Sequence, residues 1–100
     1  MKLKFLPEAE MEFREAARFY EDRAPGLGFA FVTEVHRATN MLLTQPLIGA
    51  PLVDDLRKYV LRRFPYNLIY ADAADTLIIV ALAHHKRRPF YWSRILQNRT

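Results

Sequence analysis

The sequence predicts an α+β domain of order β-α-α-β-β-β, in which a helical hairpin packs on one face of a mainly antiparallel sheet. Three observations predict it. Apolar residues recur at helical spacing between residues 7 and 44, three short apolar segments lie between residues 57 and 84, and turn-forming residues separate these segments. We expect residues 1–100 to form one domain, because 100 residues suffice for a single core.

The first half of the chain predicts one short strand and two helices. The strand covers residues 3–6, and Pro7 then opens a helix, where its missing N–H is not needed. Residues 25–28 form a turn, and the second helix ends before Pro46, so the short connection favours an antiparallel hairpin. The apolar stripes are Ala9, Phe13, Ala16, Ala17, Tyr20 and Ala24 on the first helix and Phe31, Val32, Val35, Ala38, Leu42 and Leu43 on the second.

The second half predicts three strands in series after a loop over residues 45–55. The strands are expected at Arg57 to Phe64, Asn67 to Asp72 and Thr76 to His84. Residues 73–75 are short enough to close a hairpin between the last two strands, so this half forms an antiparallel meander.

Charge is unevenly distributed along the chain. The formal net charge is +4, but residues 1–50 carry six Lys/Arg against seven Asp/Glu, and residues 51–100 carry nine against four. A basic half indicates either a solvated surface or an acidic partner, which would be nucleic acid or an acidic protein segment.

Composition excludes several classes of protein. The absence of cysteine excludes disulfides, thiolate metal sites and a cysteine nucleophile, and is consistent with the reducing cytoplasm. The longest apolar run, residues 77–83, is far shorter than the roughly 20 residues that span a bilayer. The start of the chain, residues 1–5, is followed at once by acidic residues, which argues against a signal peptide. We therefore expect a cytoplasmic protein.

The segment from Ala83 to Trp92 carries most of the candidate chemistry, since a buried strand here leads directly into two histidines, three cations and three aromatics. Adjacent His84 and His85 should leave opposite faces of the sheet, a poor geometry for one metal ion, so no metal site is expected. A single histidine in a basic site could act as a general acid or base, or could simply be hydrogen-bonded at the sheet edge. Phe90, Tyr91 and Trp92 could stack on bases, or Phe90 and Trp92 could fold back and seal the sheet edge. The structural interpretation is favoured for Trp92, and the place of Tyr91 is left open.

The basic side chains form a second candidate group. Alternation places Arg57, Tyr59, Leu61 and Arg63 on one face of their strand and Lys58, Val60, Arg62 and Phe64 on the other. Arg63 and Arg88 could approach one anion site, or the arginines could spread along the rim. The glutamates of the first helix are interpreted as a solvated face.

These residues together resemble the toxins of type II toxin–antitoxin systems, the RelE/ParE superfamily. The resemblance covers nearly the whole chain. It rests on the helical hairpin from Pro7 to Thr44, on Gln45-Pro46 with Ile48-Gly49, on Arg57 with Arg63-Phe64-Pro65-Tyr66 and Tyr70, and on Ile79-Val80 with Ala83-His84, Arg87-Arg88-Pro89 and Tyr91-Trp92.

The resemblance implies a toxin neutralised by a cognate antitoxin, whose acidic, amphipathic segment would bind it in a hetero-oligomer, with no cofactor and no metal. ParE-like members bind DNA gyrase without chemistry of their own. RelE-like members cut mRNA in the ribosome, and here Arg63 and Arg88 would hold the phosphate while His84 and Tyr91 would carry protons. An acidic helical hairpin, few surface lysines and no assignable catalytic carboxylate favour the ParE-like alternative. A degenerate toxin that only binds antitoxin and regulates its operon is a third alternative. The expected target- or antitoxin-binding residues are Arg57, Arg62, Arg63, Arg87, Arg88 and Tyr91.

Overall fold

A five-stranded sheet carries a helical hairpin on one face, as the computed structural model shows over residues 1–97, the part of the chain that it describes. The elements are β1 (Lys2–Phe5), α1 (Pro7–Arg23), α2 (Leu27–Thr44), β2 (Ala50–Pro51), β3 (Leu56–Val60), β4 (Tyr66–Ala73), β5 (Thr76–His84) and α3 (Ser93–Gln97). The strand order is β1-β5-β4-β3-β2. Among the strands of residues 1–97, only β1 and β5 pair in parallel, and the other neighbours are antiparallel. The predicted fold class is confirmed.

The helical hairpin depends on a close contact at the start of α2. Gly26 has a φ of 85°, which favours glycine, and the Glu21 carboxylate accepts the backbone N–H groups of Gly26 and Gly28, each at 3.0 Å. A Cβ at Gly28 would lie 2.6 Å from the carbonyl oxygen of Ala17. The two helices therefore pack closely here only because residue 28 has no side chain.

Apolar side chains form two clusters, one on each face of the sheet. The larger cluster lies under the helical hairpin and joins α1 and α2 to Leu68 and Tyr70 of β4 and to Leu77, Ile79 and Leu82 of β5. The second cluster lies on the opposite face, where Trp92 from the C-terminal segment packs on Ile69, Val80 and Ala83. The sheet is thus covered on both faces, by the hairpin on one and by the segment after β5 on the other.

Two predictions for the strands needed a substantial correction, while the other strand bounds are exact or shifted by one residue. The strand predicted from Arg57 to Phe64 ends at Val60, because Phe64 adopts a left-handed φ of 76° and turns its ring towards the helices. The predicted alternation therefore fails at Phe64, which lies on the same side as Tyr59 and Leu61. The predicted loop over residues 45–55 contains the two-residue strand β2, too short to give a periodic signal.

The sequence leaves open whether residues 95–100 form a helix or fray. Residues 93–97 form the helix α3, whereas residues 98–100 lie outside the described part of the chain. Within residues 1–97, no helix has the length and apolar character needed to cross a bilayer. The same residues contain no group of three or more His, Asp or Glu side chains placed to hold a metal ion.

Candidate functional site

The exit of β5 and the turn between β3 and β4 meet at one end of the sheet. Tyr66 pairs with His84 in the sheet register, and the backbone N–H of His85 donates to the carbonyl of Pro65 at 2.8 Å. We call residues 61–65 the arginine turn, since Arg62 and Arg63 lie in it. The pairing brings this turn to the same end of the sheet as the cations at positions 86–88.

The two histidines leave opposite faces of the sheet, as predicted. His84 packs edge-on against the Tyr66 ring, with ring centroids 5.0 Å apart, and its Nδ1 accepts the backbone N–H of Lys86 at 3.0 Å. Burial, with a smaller electrostatic contribution from the neighbouring Lys86 and His85, lowers the pKa of His84, which keeps its ring neutral near pH 7. His85 lies on the other face, with its Nε2 3.0 Å from Oδ1 of Asn67.

A basic groove lies on the sheet face opposite the helices. Its volume is about 210 Å³, and its polar lining comprises Lys58, Asn67, His84, His85, Arg87, Arg88 and Tyr91. Its apolar lining includes Ile69, Ala83, Phe90 and Trp92. Cationic and amide donors above an apolar floor suit a phosphate or carboxylate attached to a flat or apolar group.

Glu12 on α1 reaches the free part of the β5 edge. Within residues 1–97, β1 covers β5 only from Thr76 to Ile79, and beyond it one Glu12 carboxylate oxygen accepts the backbone N–H of Leu82 at 3.0 Å. The other oxygen accepts the hydroxyl of Tyr91. Glu12 thereby ties the C-terminal segment to both α1 and β5, so the interpretation of the α1 glutamates as a uniformly solvated face is wrong at Glu12.

The ionisation of the Glu12–Tyr91 pair follows from its burial. Desolvation raises the pKa of Glu12 despite the two donors, and it also raises the pKa of Tyr91, where the Glu12 carboxylate adds to the effect. Tyr91 therefore stays protonated near pH 7 and keeps its proton directed at Glu12. The guanidinium of Arg87 lies over the Tyr91 ring, 3.9 Å from its centroid.

A second carboxylate, Glu34 on α2, lies beneath the arginine turn. It is 7% exposed, and its oxygens accept the Nε of Arg37 at 2.8 Å and the Nη2 of Arg37 at 3.0 Å. One oxygen also accepts the backbone N–H groups of Arg62 at 2.7 Å and Arg63 at 3.2 Å. The Arg37 hydrogen bonds, with smaller help from the backbone N–H groups, lower the pKa of Glu34, so it remains ionised.

Sequence reasoning missed both carboxylates, although their spacing carries a signal. Glu12 lies three residues after Ala9 and four before Ala16, two residues of the buried stripe of α1. Glu34 stands in the same relation to Phe31 and Ala38 on α2. An acidic residue at this spacing faces the sheet, where a charge requires partners.

The predicted site residues fall into separate environments. The guanidinium of Arg57 donates to the carbonyls of Leu47 at 3.2 Å and Gly49 at 2.8 Å, so it holds the loop before β2. Arg62 and Arg63 are exposed on the arginine turn, where the Arg63 guanidinium lies over the Phe64 ring. Arg87 and Arg88 line the basic groove, whose described lining includes Lys58 rather than Arg63.

The aromatic residues at the end of the segment also separate. Trp92 is buried, as expected. Phe90 remains half exposed, and its ring centroid lies 5.4 Å from that of Trp92. The alternative in which both rings seal the sheet edge therefore holds for Trp92 and only in part for Phe90. Tyr91 is half-buried through its contact with Glu12.

A comparison with models of known protein families shows which family the chain belongs to. The family model described as the ParE toxin of the type II toxin–antitoxin system parDE matches residues 3–89. The chain belongs to the ParE toxin family. A comparison of the chain with curated protein sequences found no match.

Two solved structures share the fold of this ParE-family toxin. A chain of the chromosomal ParDE toxin–antitoxin system from P. aeruginosa superimposes with a TM-score of 0.73 at 18% identity, over 84% of this chain and 95% of that one. The isolated E. coli RelE toxin superimposes with a TM-score of 0.64 at 19% identity, over 99% of this chain and 98% of that one. At these identities the likeness to the two structures establishes the fold alone.

Proposed function

We propose that this ParE-family toxin inhibits growth by binding DNA gyrase, without chemistry of its own, and that a cognate antitoxin neutralises it in the cytoplasm. Family membership supports the toxin class. The similar ParDE toxin–antitoxin system of P. aeruginosa supports an antitoxin partner, bound in a hetero-oligomer. The basic surface at the end of the sheet suits an anionic partner surface.

One observation carries the preference for binding over catalysis: the Tyr91 hydroxyl donates its proton to Glu12. A proton carrier for RNA cleavage must exchange its proton with the substrate, and the raised pKa of Tyr91 opposes its action as a base. The Nδ1 of His84 is also occupied, since it accepts the backbone N–H of Lys86. The Tyr91 hydroxyl and one ring nitrogen of His84 are thus engaged inside the molecule.

A second candidate function is a RelE-like, metal-independent cut of mRNA, which the basic groove favours. Lys58, Arg87 and Arg88 there provide the cations that a transferring phosphate requires, and His85 lies beside them. In that case His85 would join His84 and Tyr91, which also line the groove, as a candidate proton carrier.

The test is to assay purified toxin in two reactions side by side. Gyrase supercoiling of relaxed plasmid and integrity of mRNA in a translating extract are measured over the same toxin concentrations. We expect inhibition of supercoiling with intact mRNA. Codon-dependent mRNA cuts with supercoiling unaffected would overturn the gyrase proposal and support the nuclease.

A further inference from the structure

The arginine turn has an anchor beneath its backbone. The N–H groups of Arg62 and Arg63 follow the end of β3 and point inward, where a sheet partner would otherwise be needed. The ionised Glu34 carboxylate accepts both. The backbone of the two arginines is therefore fixed from below while their side chains are exposed.

Glu34 is itself held in one orientation. Arg37 grips its two oxygens through a guanidinium fork, and Nη2 of Arg37 also donates to the hydroxyl of Tyr59 at 3.1 Å. Tyr59 belongs to β3, so the Glu34 carboxylate is connected through Arg37 to the sheet as well as to α2. Rotation of Glu34 away from the turn would break several of these bonds together.

Phe64 provides a second anchor for the same turn. Its φ of 76° is unusual for a bulky residue, and its ring packs against Tyr20 at 4.7 Å and Phe31 at 5.1 Å. The guanidinium of Arg63 lies 5.2 Å from the centroid of that ring, on the outer side of the turn. The turn is thus fixed both by a carboxylate and by an aromatic side chain.

We infer that Glu34 is a positioning residue that preorganises Arg62 and Arg63 as a two-arginine element for binding carboxylates of a partner protein. The inference deepens the proposed function, since it rests on the partner of this surface being a protein. Preorganisation lowers the cost of ordering two long side chains on binding, so the position of the backbone beneath them affects affinity directly.

The surroundings of the two arginines favour a protein segment over nucleic acid. Val60 is 49% exposed at the end of β3, and Pro65 is exposed at the end of the turn. Apolar side chains beside two forked cations suit a segment that alternates acidic and apolar residues. A nucleic acid backbone would offer charge to the arginines but little to Val60.

The test compares two substitutions that raise the net charge equally. Glu34→Gln removes the charged acceptor beneath the turn, and Glu10→Gln removes the partner of Arg14 in an exposed ion pair within α1. General electrostatics predicts that both variants bind an acidic ligand at least as tightly as wild type. A positioning role for Glu34 predicts that only Glu34→Gln weakens binding, even though the higher net charge of the variant favours binding of an acidic ligand.

The probe is a fluorescein-labelled peptide of alternating glutamate and leucine, titrated against full-length toxin by anisotropy. We expect Glu34→Gln to weaken binding by about fivefold and Arg62→Ala/Arg63→Ala by about tenfold or more. Arg14→Ala/Arg18→Ala removes two exposed arginines from α1 and should change affinity by less than about twofold. Equal affinities of Glu34→Gln and Glu10→Gln would overturn the inference.

Folding and partner class are controlled separately. Melting curves establish that each variant is folded at the titration temperature. If Glu34→Gln is not, Glu34→Asp replaces it, because the shorter side chain withdraws the acceptor from the Arg62 and Arg63 N–H groups at unchanged charge, and we expect weaker binding there too. A greater loss of affinity for single-stranded RNA than for the peptide in Arg62→Ala/Arg63→Ala would assign the turn to nucleic acid and overturn the inference.

The supercoiling assay separates this inference from the proposed function. Absence of gyrase inhibition by wild type, with the difference between Glu34→Gln and Glu10→Gln intact, refutes the gyrase target and supports the positioning role. The opposite result is gyrase inhibition that stays unchanged in Arg62→Ala/Arg63→Ala while the two glutamine variants bind the peptide with equal affinity. That result supports the proposed function and refutes the positioning role.

Discussion

The two faces of the sheet are covered in physically different ways. The helical hairpin buries Phe31, Val35 and Leu42 completely, and its carboxylate Glu34 is neutralised by a permanent cation. The opposite face is covered by a short segment with one large buried side chain, Trp92. That segment is tied to α1 through Glu12, whose donors are neutral groups.

The difference shows that the arginine turn and the segment after β5, the two ends of the basic surface, are anchored by contacts of different strength. A carboxylate paired with a guanidinium stays charged over most of the pH range, so the arginine turn is fixed. A desolvated carboxylate with neutral donors changes its charge more readily. The segment that carries Arg87 and Arg88 is therefore the part of this surface that responds to pH.

The largest effect should come from the helix-covered face. Phe31→Ala removes a fully buried ring that contacts Tyr20, Phe64 and Tyr66, and should lower the free energy of unfolding by about 4 kcal/mol. Urea denaturation followed by circular dichroism measures it. A loss below about 1 kcal/mol would contradict the view that this face dominates stability.

The C-terminal cover should contribute less, and through one residue. Trp92→Ala should lower the free energy of unfolding by about 3 kcal/mol, because its ring leaves a cavity over Ile69 and Val80. Phe90→Ala is the matched control, with a half-exposed ring and an expected cost below about 1 kcal/mol. Equal costs for the two variants would show that the segment does not seal the sheet as described.

Glu34→Gln should lower stability by about 2 kcal/mol near pH 7, since Arg37 and two backbone donors lose their charged acceptor. The pKa of Glu34 is lowered in the folded state, so its contribution is present above the ordinary pKa of 4.5 and is lost as the pH falls through the lowered value. Urea midpoints of wild type and variant should converge on acidification. A constant difference down to pH 2 would refute the ionised role.

Glu12→Gln should have the smallest effect and the opposite pH dependence. The pKa of Glu12 is raised in the folded state, so its contribution is fully present below pH 4.5 and is lost as the pH rises through the raised value. The glutamine resembles the protonated form, so we expect a change within about 1 kcal/mol at pH 7. Relative to the variant, wild type should become less stable as the pH rises from 4.5. The reverse trend would place Glu12 in the same class as Glu34.

Sequence alone predicted the elements whose signals are local. The strand from Thr76 to His84 was predicted with its observed bounds, because a turn precedes its apolar run and cations follow it. The helical hairpin was predicted because two apolar stripes flank the Pro25-Gly26 break. Phe64 was misplaced because a left-handed backbone at a bulky residue is imposed by tertiary packing, which no local pattern reveals.

The candidate site was harder to predict, because its decisive contacts join distant parts of the chain. Glu12 accepts hydrogen bonds from Leu82 and Tyr91, which lie 70 and 79 positions further along the chain. Glu34 accepts hydrogen bonds from Arg62 and Arg63, which lie 28 and 29 positions further along. The predicted site residues were chosen for their own chemistry, which does not reveal that the Tyr91 hydroxyl is already engaged. Carboxylates on a buried stripe are the signal that would have pointed to both contacts.

The absence of chemistry by Tyr91 is tested most directly by Tyr91→Phe, which removes the hydroxyl and keeps the ring beneath Arg87. Colony counts after induction of wild type and variant in a bacterial host measure growth arrest. A toxin that acts by binding should arrest growth in the variant to within about twofold of wild type, whereas removal of a proton carrier costs about 100-fold or more. Loss of toxicity on that scale, with the variant folded, would contradict the account.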